Sequence, residues 1–132
     1  MNAWELYERT RQPWGGATVR QSDGWLVPDG TDAYAVAVTD TVSIPDTASY
    51  EQFVSAYDQS RAQFADAPYI GIFHDDMLNV IEFNGVTICP DTPCVDDLHK
   101  HGVPMPGGAY HFASGNGYWP AGRPVQYAPQ SA

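Results

Sequence analysis

Residues 69–89, YIGIFHDDMLNVIEFNGVTIC, constrain the fold more than any other stretch of the chain. Two apolar runs, residues 69–73 and 79–89, are rich in Ile, Val, Phe, Tyr and Thr, which suit a pleated surface. The polar break His74-Asp75-Asp76 fits an antiparallel hairpin with its loop near residues 75–78. In the first strand Ile70 and Ile72 share one face, while Tyr69, Gly71 and Phe73 share the other. In the second, Ile81 and Phe83 oppose Val80 and Glu82. Apolar residues on both faces predict central sheet covered on both sides. Asn84-Gly85 is a turn dipeptide, and predicts either a second hairpin or a bulge before Val86. Pro90 cannot donate to a ladder, so the strand should stop at Cys89.

The rest of the chain is read around this hairpin. At 132 residues it fits one domain and can bury a core without metal or disulfides. Four Trp, eight Tyr and five Phe argue against disorder despite 11 Pro and 12 Gly. Asn2 and Glu5 make a capping pair for a short helix over residues 2–11, with Trp4 and Tyr7 on one face. Residues 1–14 are thus an N-terminal arm, 15–119 a single α+β domain and 120–132 a Pro-rich tail, extended or frayed. Residues 17–20 and 25–27 read as strands about the turn Ser22-Asp23-Gly24. Residues 33–44, AYAVAVTDTVSI, read as one long strand bent near Asp40. Its Ala33, Ala35 and Ala37 form a smooth face on which a helix can pack closely.

The main helix is expected over residues 50–66. Ser49 caps it, Gln52 closes a capping box, and Ala48 and Phe53 occupy staple positions. Tyr50, Phe53, Val54, Tyr57 and Phe64 form its apolar stripe. A short helical turn over residues 93–99, capped by Asp91 or Thr92 and stopped at Gly102, follows. Residues 109–113 and 118–119 read as final strands. The fold class is α+β: a small, mostly antiparallel sheet with one main amphipathic helix packed on one face.

Gly15-Gly16-Ala17-Thr18-Val19, the YAVAV strand, the capped helix, YIGIFHD and NVIEFN follow one another in order. This pattern resembles a loose set of small uncharacterised proteins of actinobacteria and their bacteriophages, over residues 15–88. The resemblance implies an accessory gene product, phage-encoded or from a mobile element, and carries over no activity and no catalytic residues. Residues 89–119 have no counterpart in it.

The formal charge of −10, from six basic and 16 acidic residues, repels phosphate backbones and anionic lipid. Direct nucleic-acid binding is therefore not expected. The acids are scattered, which suits a solvated surface or a nucleic-acid mimic lying in another protein's basic groove. No apolar run approaches a membrane span. The opening MNAWELYERTRQPW lacks the basic-then-apolar order of a signal peptide, which points to the cytoplasm.

Candidate chemistry is sparse. Cys89, Cys94, His99 and His101 are competent zinc ligands, but C-x4-C-x4-H-x-H matches no common finger. The two cysteines can instead pair across the Pro-Asp-Thr-Pro loop, a closure worth on the order of 2 kcal/mol. In a reducing cytoplasm two free thiols are expected. His74, Asp75 and Asp76 offer acid–base or cation-binding chemistry, set against a plain solvated turn. Asp96, Asp97 and His99 can make a base and its orienting partner. No serine or cysteine elbow and no phosphate-cradling loop is present. Surplus aromatics are the remaining signal: Trp4, Tyr7 and Trp14 in the arm, and Tyr118 and Trp119 near the Gly-rich end, are candidate anchors for a partner or for self-association. The leading expectation is a small cytoplasmic accessory protein that binds another protein. The alternatives are a metal-dependent or His-based small enzyme, and the acidic mimic.

Overall fold

The computed structural model describes residues 2–120 and 124–126. The elements are α1 (Ala3–Arg11), β1 (Gly16–Arg20), β2 (Tyr34–Pro45), α2 (Tyr50–Gln63), β3 (Tyr69–Asp75), β4 (Val80–Cys89), α3 (Thr92–Lys100), β5 (Ala109–His111), β6 (Asn116–Tyr118) and β7 (Pro124–Gln126). The strands form one seven-stranded sheet in the order β1-β3-β4-β2-β5-β6-β7, with every neighbouring pair antiparallel. The fold is mixed α+β.

Local chemistry explains the helix ends. Asn2 accepts the Glu5 N–H at 2.9 Å and caps α1. Ser49 and Gln52 make both bonds of the capping box that starts α2. Asp91 accepts the Cys94 N–H and caps α3, with Pro93 in its first turn, where a missing N–H costs nothing.

All three helices cover the same face of the sheet. Ile70, Ile72, Ile81 and Phe83 meet Phe53, Ala56 and Phe64 of α2 and Leu6 and Tyr7 of α1 in the main core. Val36, Cys89 and Ala109 meet Val95 of α3 and Met105 in a second cluster, and Val38 touches both. The buried line of α2 is Phe53, Ala56, Ser60 and Phe64, whereas Val54 of the expected stripe is only partly buried. Small residues at 56 and 60 bring the helix close to the strands.

Four expectations are corrected here. The central hairpin is covered only in part on its second side: Val27 and Phe112 pack over Tyr69 and Ile88, but elsewhere β3 alternates strictly between buried and half-buried positions. Helices pack on the valine face of β2, not on its alanine face, because Val36 and Val38 share a side with Ile70 and Phe83. Asn84-Gly85 starts no second hairpin, since β4 runs straight through it, but the alternative expectation of a bulge before Val86 holds for the ladder. Gly85 serves packing instead: a Cβ there would lie 2.8 Å from Ala67 Cβ and 3.1 Å from Phe64 Cβ, where the end of α2 meets the sheet. The irregularity sits on the facing strand. Between Ala37 and Thr41, β2 bulges, and Thr39 Oγ1 accepts the Gly85 N–H at 2.8 Å in place of a ladder carbonyl. This is the bend expected near Asp40. Lastly, residues 25–27 form no return strand, only a bridge between Val19 and Leu26.

In the tail, Pro124–Gln126 pairs with β6. Residues 121–123 and 127–132 of the expected tail lie outside the described residues.

Candidate functional site

The alanine face of β2 opens on a trough of about 330 Å³. Thr18, Gly71, Val86, Ala35 and Ala37 make its floor, and Pro106, Gly107 and Tyr110 bound one side. Short side chains on adjacent strands leave this space: Thr18 pairs with Gly71, and Ala37 with Val86. Asp75, Leu78 and Glu82 close the end nearest the hairpin loop, where Met77 and Leu78 are exposed. Burial raises the pKa of Glu82, and the neighbouring Asp75 carboxylate raises it further. Asp75 is itself held in place, accepting the Met77 and Leu78 N–H groups at 2.9 and 3.1 Å. The trough therefore joins an apolar, small-residue floor to an acidic end with no built-in positive charge facing Glu82 among its lining residues.

On the opposite face, at the end of the core, lies His74. The expected solvated turn is wrong for this residue: it belongs to β3 and is only 6% exposed. Its Nδ1 lies 2.9 Å from the Gln12 carbonyl oxygen, which accepts a proton from the ring. Its Nε2 faces Asp46 Oδ2 at 3.1 Å and Asp76 Oδ1 at 3.0 Å. Asp76 Oδ2 in turn accepts the Trp14 N–H at 2.7 Å. Burial, the largest single influence, pulls the imidazole's pKa down. The bond to Asp46, the Gln12 carbonyl and the Asp76 charge together outweigh it, so the net direction is up. Asp46, His74 and Asp76 place their donor atoms within 4.8 Å of one another.

The proposed zinc set does not assemble. Cys89 and Cys94 are joined in a disulfide with Cα atoms 5.6 Å apart, so neither offers a thiolate. That also corrects the expectation of two free thiols. His101 sits exposed at the end of α3, its Nδ1 2.7 Å from the Asp97 carbonyl. His99 lies beside Trp119, with ring centroids 6.2 Å apart.

The five aromatic anchor candidates divide. Trp4 is 50% exposed, whereas Tyr7 is 8% exposed and edge-on to Phe53 at 5.4 Å, so Tyr7 is core. Trp14, with φ of 53°, packs against Phe73 at 6.0 Å. The Tyr118 hydroxyl donates to Asp96 Oδ1 at 2.7 Å, which ties β6 to α3 and raises the phenol's pKa. Trp119 packs on the second cluster. Asp96 is thus engaged with Tyr118 and Asp97 lies beside His101, so the expected pairing of Asp96 or Asp97 with His99 does not form.

One arrangement escaped the sequence reading altogether. His111 Nδ1 lies 2.7 Å from Ser114 Oγ and its Nε2 lies 2.9 Å from Asp32 Oδ1, the order of a hydroxyl–imidazole–carboxylate relay. Ser114 Oγ already accepts the Asn116 N–H at 3.2 Å, and the Asp32 side chain is 90% exposed. A carboxylate so open to water does little to polarise an imidazole, and the group behaves as turn chemistry. Asp46 and Asp32 were missed for one reason: each meets its histidine across 28 and 79 residues of sequence respectively, and no local pattern marks either.

Comparison of the chain with protein-family models, with curated proteins and with solved structures returns no match.

Proposed function

We propose that this is a binding protein whose open sheet face holds a segment of another protein. The segment would present a lysine or arginine on an otherwise apolar stretch. The observation that carries this reading is the trough itself, with its alanine and glycine floor running into Asp75 and Glu82. The long aliphatic stem of a basic side chain suits such a floor, and its charged head suits the acidic end. A cation there also relieves Glu82, which is half-buried beside another acid. The trough's volume falls in the range typical of ligand sites. A net charge of −10 favours encounter with a basic partner. The phage-borne, accessory character implied by the resemblance fits a protein that works by occupying another one. The cytoplasmic setting expected from the sequence is not part of this proposal. The Cys89–Cys94 bridge favours an oxidising compartment, because reducing surroundings would open it.

Titration of 15N-labelled protein with a short peptide alternating arginine and valine tests the reading. Amide shifts should concentrate at Thr18, Ala37, Gly71, Glu82 and Val86, and Glu82→Gln should weaken them. Ala37→Trp, which fills the floor without touching the helical face, should abolish them. Shifts centred on Trp4, or none at millimolar peptide, would remove the trough as the binding face.

A further inference from the structure

The two carboxylates that converge on one buried imidazole nitrogen are used neither by the trough nor by the helical packing. We infer that His74 Nε2, an Asp46 oxygen and an Asp76 oxygen form a three-ligand site for a first-row divalent cation, with zinc as the reference ion. Two anionic oxygens at 3.0 and 3.1 Å from the same atom favour a positive charge at that point, which a proton on Nε2 supplies and a metal ion in its place would supply more strongly. Ligands about 2.1 Å from a tetrahedral zinc lie roughly 3.4 Å apart, so the 3.1 and 3.0 Å separations from Nε2 need open by only a few tenths of an ångström to admit the ion.

Groups outside the cluster orient the ligands. The Gln12 carbonyl takes the Nδ1 proton, which fixes the tautomer whose lone pair sits on Nε2 once that nitrogen is deprotonated. The Trp14 N–H holds the second oxygen of Asp76. Asp46 is fixed through its backbone, its N–H donating to the Asn79 carbonyl at 3.0 Å. The bonds from the His74 ring and the Asp76 carboxylate to main chain are of the kind that metal ligands carry, whereas the Asp46 bond fixes only its backbone. The histidine is buried, while the Asp46 and Asp76 side chains are 20% and 29% exposed. An ion can therefore enter from solvent and keep water on its remaining positions. One imidazole with two carboxylates suits zinc, manganese, iron or cobalt, and suits calcium poorly. The ion would pin two segments together, the loop between β2 and α2 and the β3–β4 hairpin, with the turn after α1 bracing it through the Gln12 carbonyl and the Trp14 N–H.

The test uses the full chain stripped with EDTA, titrated with Zn2+ by calorimetry and with Co2+ by visible absorbance. One ion per chain is expected. In the wild-type protein the ring 15N spectrum should show His74 Nε2 taking the metal while Nδ1 keeps its proton. His74→Gln and Asp76→Asn, each checked for fold by circular dichroism, should weaken binding at least about 10-fold. His101→Gln should leave it unchanged. If the His74 and Asp76 variants fail to fold, the wild-type ring spectrum decides alone. No saturable uptake, uptake that survives His74→Gln, or a ring response confined to His99, His101 or His111 overturns the site.

Discussion

Ile70, Ile72, Ile81 and Phe83 leave β3 and β4 on one side and meet Phe53, Tyr7 and Leu6 in the main core. Gly71, Phe73, Glu82 and Asn84 leave the same two strands on the other side and line the trough. The backbone is shared, so the difference between the faces is entirely one of side chains. Bulk on one face recruits helices, while small and acidic residues on the other leave a space. Stability should therefore reside on the first face and recognition on the second. Substitutions at matched positions can break that division.

The largest effect is expected from Phe53→Ala. Phe53 is fully buried, edge-on to Tyr7 and in ring contact with Phe83 at 5.4 Å. Its loss should cost about 3–5 kcal/mol in denaturant melts, with binding of a trough ligand retained wherever the protein stays folded. A cost below about 1 kcal/mol would remove α2 as the main cover of the sheet.

Two glycines of the hairpin give a sharper contrast. Gly85→Ala points toward the helical side, where the new methyl meets Ala67 Cβ at 2.8 Å and Thr39 Cγ2 at 2.6 Å. Neither the helix end nor the bulge can yield easily, so the substitution should cost about 1–3 kcal/mol. Gly71→Ala points into the trough, where the methyl meets Val86 Cγ2 alone among near neighbours, at 2.7 Å. A valine methyl beside open space can turn away, and alanine relieves the entropy that glycine loses in a strand, so the cost should stay below about 1 kcal/mol. Gly71→Ala should nonetheless weaken peptide binding, because it raises the floor. Equal costs at the two positions would mean the faces are not packed differently.

The same contrast explains what could be read from sequence. Ser49 with Gln52, Asp91 with Pro93 and the alternation of Ile70 with Gly71 were legible because each operates over a few residues. The face assignments of the hairpin strands followed from period two alone. Which face the helices would choose did not follow, since a run of alanines is equally good at accepting a helix and at leaving a gap. The decision came from Val36 and Val38, which fall beside Ile70 and Phe83 only once the register is known. Asn84-Gly85 carried a genuine turn signal that tertiary packing overrode, because glycine serves close approach as well as sharp turning. The Cys89–Cys94 bridge is legible as one pairing that the short loop allows, but the sequence does not carry the redox compartment that decides between a bridge and two free thiols. His74 was identified as a residue of interest, but its carboxylate partner Asp46 lies beyond any local window.

The smallest effect concerns Glu82, and it runs opposite to the others. Burial and the Asp75 carboxylate hold its pKa above the ordinary glutamate value in the folded chain. An acid whose pKa rises on folding favours the fold most below its unfolded pKa and loses that contribution as pH climbs through the folded one. At neutral pH the ionised Glu82 therefore weakens the fold relative to a neutral isostere. Glu82→Gln should melt a little higher than wild type at pH 7, and the gap should close as pH falls below about 4. The same substitution should weaken binding of the arginine–valine peptide, because the charge that strains the fold is the one proposed to meet the ligand's cation. A variant that is more stable at pH 7 and a poorer binder ties recognition to the open face. Unchanged melting at pH 7, or a gap that widens in acid, would show that Glu82 is not held in the environment that the trough gives it.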